Sequence, residues 1–162
     1  MAKSLIFTFV LFLAAVAAKD ALLQNEQSIR PSHPTSVPGR NCLAHLAEVQ
    51  ATKASTIFPK CEADGTYSAR QLLENSVVQC VSKGGEEIIR GTGIQACECH
   101  RLRHEAREKG KRGIVGHFTP SCDDTTGRYS PRQFHGSTGF SWCVDQEGNQ
   151  IGEKIRGRPA GC

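Results

Sequence analysis

The stretches FPKCEADGTYSARQL (Phe58–Leu72) and FTPSCDDTTGRYSPRQF (Phe118–Phe134) repeat one pattern within the chain. Each contains Phe, Pro, Cys, a Gly turn and Tyr-Ser-x-Arg-Gln before a large apolar residue. Further along, Cys80-Val81 and Cys143-Val144 each begin the pattern C-V-x3-G-x2-I. The period of about sixty residues is longer than that of solenoid repeats. The repetition therefore predicts two small domains in tandem.

All eight cysteines fall within this repeated part, and each half holds four of them. They are Cys42, Cys61, Cys80 and Cys97 in the first half, and Cys99, Cys122, Cys143 and Cys162 in the second. A domain this small buries too little apolar surface for ready stability, so covalent staples are expected. An even cysteine count in an oxidising compartment indicates disulfides, but counting does not choose among the pairings.

The first residues are typical of a secretory signal. Lys3 precedes the apolar run Leu5–Val16, and Ala15-Val16-Ala17 has the small-x-small form of a cleavage site. The run is short for a membrane span. We therefore predict a signal peptide at residues 1–18 and a secreted, extracellular protein. Residues 19–40 are rich in Pro, Ser, Gln and Asn without an apolar period, which predicts a disordered leader before a folded part that starts near Asn41.

The charge of the chain selects no partner. The formal net charge is +4, and removal of the signal with Lys3 leaves +3. Such a mildly basic balance is not the signature of a nucleic-acid or membrane-binding protein. We predict a monomer that binds neither nucleic acid nor membranes.

Local patterns predict the secondary structure. Asn41 is a good N-cap for a helix over residues 42–54, and a second helix is predicted over residues 99–109. The apolar faces are predicted to comprise Leu43, Leu46, Ala47 and Ala51 in the first helix, and Cys99, Leu102 and Ala106 in the second. Strands are expected at Val77–Val81 and Phe140–Val144, beside hairpin turns at Asp64-Gly65 and Glu147-Gly148-Asn149. The fold class is small, disulfide-rich α+β.

Taken together, these residues resemble the thyroglobulin type-1 family over residues 41–162. The resemblance is carried by Cys61-x-x-Asp64-Gly65-x-Tyr67, Ser141-Trp142-Cys143-Val144-Asp145, Gly148-x-x-Ile151 and Gly157-x-Pro159-x-x-Cys162. It implies two tandem type-1-like domains, at residues 41–98 and 99–162. Each would be a short helix with a small antiparallel sheet.

The sequence departs from the family where the family forms a middle disulfide. Leu72 and Val78 stand at its two cysteine positions in the first half, and Phe134 and Ser141 in the second. Both partners are absent together, so no thiol is left over. The resemblance then implies the pairs Cys42–Cys61, Cys80–Cys97, Cys99–Cys122 and Cys143–Cys162. Trp142 would pack beside the last pair, whereas the first half has Gln79 there and should have a poorer core.

The family resemblance also implies a function. Some members, the thyropins, inhibit papain-like cysteine proteases by filling the active-site cleft with a wedge of loops. The corresponding loops here are Lys53–Ile57, Leu73–Ser76 and Ser82–Glu86 in the first half, and Gly110–Gly116, His135–Gly139 and Asp145–Asn149 in the second. The candidate contact residues are Gly113, Ile114, Val115, His135, Gly136, Ser137, Thr138, Gly139, Gln146, Glu147 and Gly148. The alternatives are a non-inhibitory extracellular module that binds a matrix, growth-factor or heparin-like partner, and a venom or defence secretion.

Catalytic chemistry is not predicted. The histidines are scattered, and no serine lies in a nucleophile-elbow pattern. His100 and His104 have the i, i+4 spacing of metal ligands, but no third ligand is evident. We interpret them as a solvated helix face and predict no metal or cofactor.

A basic run in the second helix is the remaining feature. It comprises Arg101, Arg103, Arg107, Lys109, Lys111 and Arg112. This run is a weak candidate for heparin-like polyanions, and the interspersed acids favour a solvated face instead. Lys111-Arg112-Gly113 also has the composition of a protease-sensitive loop tip.

Overall fold

The computed structural model describes residues 36–53, 55–157 and 162. The predicted signal peptide, the leader up to residue 35 and Pro159 lie outside the described residues. The elements, in chain order, are α1 (Cys42–Thr52), β1 (Arg70–Leu72), a 3-10 turn (Glu74–Ser76), β2 (Val78–Val81), β3 (Glu87–Gly91), α2 (Glu98–Lys111), β4 (Arg132–His135), β5 (Phe140–Val144) and β6 (Gln150–Arg156). The predicted small α+β class is confirmed.

Each half builds one helix followed by a three-stranded antiparallel sheet. The strand orders are β1-β2-β3 and β4-β5-β6. The strand predicted at Phe140–Val144 is confirmed, and the other predicted strand begins one residue later than expected, at Val78. Neither described helix has the length and hydrophobicity needed to cross a membrane.

The N-cap of α1 is confirmed, but its predicted apolar face is wrong. The Asn41 side chain accepts hydrogen bonds from the next backbone amides, at 3.0 and 3.2 Å. The buried residues are Cys42, His45 and Val49, whereas Leu43 is 48% exposed. The Cys42–Cys61 disulfide and a 2.9 Å hydrogen bond between His45 Nδ1 and the Tyr67 hydroxyl orient the helix. Apolar periodicity alone does not contain these long-range contacts.

Four disulfides join cysteines that are neighbours in the sequence, as the family resemblance implies. The pairs are Cys42–Cys61, Cys80–Cys97, Cys99–Cys122 and Cys143–Cys162. Two of them lie in small cores of the first half. Cys80–Cys97 packs with Ala69, Val78 and Ile94, and Cys42 packs with Tyr67 and Val81. In the chain-entropy model each loop of about twenty residues contributes roughly 3 kcal/mol of stability.

The positions of the missing middle bridge face each other across paired strands. Leu72 lies opposite Val78, and Phe134 lies opposite Ser141. In the first half Val78 is buried in the core, while Leu72 is half exposed. In each half the place of the family's bridge is therefore a cross-strand pair of one exposed apolar residue and one buried residue.

The glutamine of the repeated Tyr-Ser-x-Arg-Gln pattern binds backbone groups, a role that the sequence pattern did not predict. Gln133 Oε1 accepts from the Ser121 amide at 2.8 Å, and its Nε2 donates to the carbonyls of Ser121 and Ser130 at 2.9 and 2.7 Å. Gln71 makes the same three bonds with Lys60 and Ser68. Both side chains are buried, so each satisfies backbone groups that would otherwise lack partners.

The folded part begins earlier than the predicted boundary at Asn41. Ser36, assigned to the leader, is 6% exposed and donates to Gln79 Oε1 at 3.2 Å. The Val37 amide donates to the Tyr67 hydroxyl at 3.1 Å, and the Gly39 amide to the Gly84 carbonyl at 2.9 Å. Residues 36–40 thus pack on the first half.

A single residue, Glu98, separates the disulfide cysteines of the two halves. The second half has one more residue between Cys122 and Tyr129 than the first half has between Cys61 and Tyr67. This insertion lies in a turn at residues 123–127, whose Thr126 carbonyl accepts from the amides of Gln95 and Ala96 at 2.7 and 3.1 Å. Gly127 has a φ of +77°, and a Cβ there would overlap the Ala96 carbonyl oxygen. The insertion therefore docks the second half against the end of the first.

Candidate functional site

Two of the three predicted loops of the second half meet in space. The ring of His135, at the end of β4, lies with Nε2 at 3.0 Å from the Gly116 carbonyl oxygen. A carbonyl only accepts, so Nε2 donates, and Nδ1 accepts from the Thr138 hydroxyl at 3.1 Å. We call residues 113–116 and 135–139 the loop pair.

The first loop of the pair presents apolar side chains to solvent. Val115 is 86% exposed and Ile114 is 49% exposed. Gly113 and Gly116 flank them with φ of +77° and +83°, which favours glycine at both positions. Gly139 closes the second loop at a φ of +70°. An exposed apolar tip between glycine bends is typical of a contact surface rather than of a core.

Trp142 is connected to the loop pair through the rings of Phe118 and His135. Its ring is 7% exposed and lies 4.9 Å from the ring of Phe118, which meets His135 edge-on at 5.9 Å. On β6, the ammonium of Lys154 stands 4.2 Å from the centre of the tryptophan ring. An aromatic chain therefore runs from the sheet to the histidine that bonds Gly116.

The third predicted loop, residues 145–149, lies at the other end of β5. That strand separates the two hairpin turns by five residues, or roughly 17 Å. Glu147 pairs with Arg128 at 3.0 Å, and Gln146 hydrogen-bonds the same guanidinium. A Cβ on Gly148 would lie 2.7 Å from the Tyr129 ring. Gln146, Glu147 and Gly148 are thus separated from the loop pair and tied to the turn beside them.

The corresponding loops of the first half present polar tips. Ser55 and Thr56 follow Lys53, which ends α1 with a φ of +50°. Leu73–Ser76 contains the 3-10 turn, with Asn75 and Ser76 also at positive φ. No residue described in these first-half loops matches the exposure and apolar character of Val115.

The basic run divides into buried and exposed members. Arg101 is 9% exposed, donates to the Tyr67 carbonyl at 3.3 Å and pairs with Glu98 at 2.9 Å. The Arg103 side chain is 19% exposed and pairs with Asp124 at 2.7 Å. The assignment of Arg101 to a polyanion surface is therefore wrong, because α2 packs that side chain against the first half. The exposed members are Arg107, Lys109, Lys111 and Arg112.

His100 and His104 do not form the solvated face that we expected. His100 is fully buried, and His104 lies 3.3 Å from Glu86 of the first half. Arg103 donates to His100 Nδ1 at 2.8 Å, which places the proton of the neutral ring on Nε2, 3.9 Å from the Asp124 carboxylate. In the described part of the chain, no three His, Cys, Asp or Glu side chains are arranged to hold a metal ion.

Burial lowers the pKa of His100 below its ordinary value of 6.5, and the Arg103 and Arg107 guanidiniums lower it further, against the opposing charge of Asp124. A lowered folded-state pKa means that the unfolded chain binds the proton more readily. We therefore expect the free energy of unfolding to be highest above pH 6.5 and to fall as the pH drops below it. One group contributes at most about 1.4 kcal/mol per pH unit. Urea unfolding from pH 8 to pH 4 measures this slope, and His100→Gln should flatten it. Parallel curves for the two proteins would contradict the assignment.

The fold and the loop pair define a class, namely small disulfide-stapled proteins that present loops from a rigid frame. A model of the thyroglobulin type-1 repeat matches residues 97–162. U20-hexatoxin-Hi1a of Hadronyche infensa is 38% identical over 105 residues, which cover 63% of this chain and 70% of that protein. The chain belongs to the thyroglobulin type-1 family.

Other relatives share one segment of longer proteins. Equistatin of Actinia equina is 39% identical over 72 residues, covering 44% of this chain and 29% of equistatin. Testican-3 of Homo sapiens is 42% identical over 109 residues, covering 67% of this chain and 22% of testican-3. The chain thus spans less than a third of the length of these two relatives.

Proposed function

We propose that the protein is a secreted, reversible inhibitor of papain-like cysteine proteases, and that the loop pair blocks the active-site cleft. The observation that carries this proposal is the junction of residues 113–116 with residues 135–139 through His135, together with the exposure of Val115 in the first of these loops. The thyropins of this family fill such a cleft with loops. A narrow cleft accepts a thin edge, and Gly113, Gly116 and Gly139 keep side chains away from the bends.

Rigidity of the frame supports inhibition. Cys99–Cys122 closes the segment that contains the first loop, and Cys143 lies in the strand that leaves the second. Loops held in place before binding lose less conformational freedom in the complex, which favours affinity. All eight cysteines are in disulfides, so no thiol is available to bond the enzyme's nucleophile. Inhibition should therefore be competitive and non-covalent.

We also propose that the first half, residues 36–98, is a second thyroglobulin type-1 domain. Its element order, its strand order and the position of its glutamine bonds repeat those of the second half. Cys61 pairs with Tyr67 in an isolated β-bridge, as Cys122 does with Tyr129. Its polar loop tips support a smaller contribution to protease binding. We leave Gln146, Glu147 and Gly148 out of the proposed contact because they lie at the far end of β5.

Secretion is supported by the signal-like segment at Lys3–Ala17 and by the four disulfides. The name of the spider relative supports a venom component as one setting for such an inhibitor. An extracellular binding module is the second candidate, favoured by the resemblance of the sequence to testican-3.

An inhibition assay distinguishes the two candidates. Oxidised protein is titrated against a panel of papain-like enzymes, with a trypsin-like serine protease as the negative control. We expect competitive inhibition of at least one panel member, with activity regained on dilution because no covalent bond forms. If correctly disulfide-bonded protein inhibits no enzyme of the panel, the proposal of an inhibitor is rejected and the binding module remains as the candidate function.

A further inference from the structure

We propose that the Arg112–Gly113 bond is a processing site for a serine endoprotease that recognises clustered basic residues, and that the cleaved protein stays in one piece. The chain has three Arg–Gly bonds, at Arg90, Arg112 and Arg156. Only Arg112 is preceded directly by a lysine, Lys111, and has another basic residue three positions before it, Lys109. The other two arginines follow isoleucine and have glutamate three positions before them.

This pattern suits a protease with carboxylate-lined pockets. Such an enzyme would bind the arginine side chain in its primary pocket, with acidic pockets for the residue before it and the residue three before it. Lys109, Lys111 and Arg112 are all exposed, and Lys111 retains 73% of its side-chain exposure although it pairs with Glu108. Three cations in four residues raise the local concentration of an acidic partner and favour its binding.

The local structure at the Arg112–Gly113 bond differs from that at the Arg90–Gly91 bond. Arg90 lies in β3 opposite Gln79, and Gly91 lies opposite Val78, so that bond is held by the sheet. Arg112 caps α2, and its amide bonds only to carbonyls within the last turn, at 3.1 and 3.3 Å. The amides of Gly113 and Ile114 also bond to carbonyls of that turn, at 2.9 and 3.0 Å.

A protease must bind the chain in an extended form, so the accessible bond is the one whose opening disturbs least. At Arg112 the opening costs one helical turn, which already lies at an exposed helix end. A Cβ on Gly113 would have no heavy atom within 4 Å, so the backbone there is open to an approaching enzyme. At Arg90 the opening would separate the strands of the first sheet.

Hydrolysis adds one water across the Arg112–Gly113 bond and leaves a carboxylate on Arg112 and an ammonium on Gly113. Cys99–Cys122 spans the cut, so the two pieces remain covalently joined. The new carboxylate lies at the negative end of the α2 dipole, which loosens the last turn. Residues 113–116 then lose their covalent connection to the end of α2, and the His135–Gly116 hydrogen bond and the chain to Cys122 still hold them. Resting on the proposed function, we infer that processing switches the loop pair to a weaker inhibitory state.

The test uses the disulfide-bonded protein and a furin-type processing protease. We expect a single early cut, with two fragments on a reducing gel, one band on a non-reducing gel and a new amino terminus at Gly113. Arg112→Gln should slow the cut at least 100-fold and Lys109→Gln roughly 10-fold, since each removes a pocket contact. Arg90→Gln is the matched control and should leave the rate unchanged.

Two outcomes overturn the processing site. One is a first cut at another bond. The other is that the protein stays intact under conditions that cleave a linear peptide of residues 106–118. Inhibition of a papain-like enzyme is measured separately, before and after the cut. If cleavage at Arg112 occurs and the inhibition constant is unchanged, the processing site stands and its regulatory link to the loop pair is rejected. If the uncut protein does not inhibit, the proposed function fails while the cleavage result is unaffected.

Discussion

Replacement of Trp142 by alanine is expected to lower the free energy of unfolding by about 3–5 kcal/mol, the range for removing a large buried aromatic side chain. The ring is 7% exposed and contacts Phe118, and its removal would leave a cavity between β5 and the segment that carries Phe118. Lys154 would also lose its cation–π contact, which contributes about 0.5–1 kcal/mol at an exposed site. Urea unfolding of the oxidised protein measures the difference.

Phe134→Ala is the matched control for this prediction. Phe134 lies on the neighbouring strand β4 and is 55% exposed, so little apolar contact is lost. Its cost should stay under about 1 kcal/mol. Similar losses in the two variants would mean that Trp142 is not a principal packing residue of the second half. Loss of inhibition should accompany Trp142→Ala, because Phe118 and His135 would no longer hold the loop pair in place.

Trp142 also shows how much of the fold could be predicted from the sequence. Its strand was predicted with the right bounds because Phe140–Val144 is a short apolar run bounded by turns. Its counterpart Gln79 led us to expect a poorer first core. That expectation is wrong, because the hydrophobic clusters found among the described residues, around Cys80–Cys97 and around Tyr67, lie in the first half. Gln79 itself is 5% exposed and bonds Ser36 and Glu87, so its buried side chain has polar partners. Ser36 lies in a segment whose composition predicts disorder, and no local pattern connects it to Gln79.

Helix α2 shows a feature of the fold that the sequence could not predict. Its sequence reads as a charged, solvated helix, and its bounds at Glu98–Lys111 extend the prediction by one residue before and two after. Arg101 binds the Tyr67 carbonyl, 34 residues away in the sequence. Arg103, which also bonds the buried His100, binds Asp124, 21 residues away. Helical periodicity carries no information about such partners. The loops were located from the family resemblance, whereas the junction of two of them through His135 required the structure.

Substitution of Val115 by aspartate is expected to raise the inhibition constant for a sensitive papain-like protease about 100-fold, or about 2.8 kcal/mol, while leaving the melting temperature nearly unchanged. Val115 is 86% exposed, so its replacement costs the free protein little. In the complex the same side chain would lie in the cleft, and burial of an unpaired carboxylate there is strongly unfavourable. Inhibition constants and melting curves are measured on one preparation.

Thr56→Asp supplies the matched control, because Thr56 is an exposed residue of the corresponding loop in the first half. If the second half carries the inhibitory surface, the carboxylate at position 56 should change the inhibition constant less than about threefold. Equal losses for the two variants would assign inhibition to both halves and reject the asymmetry inferred from their loop tips. Unchanged inhibition by Val115→Asp would place the cleft contact outside the loop pair. A fall in melting temperature with Val115→Asp would instead mean that the side chain packs within the fold, against its exposure in the structure.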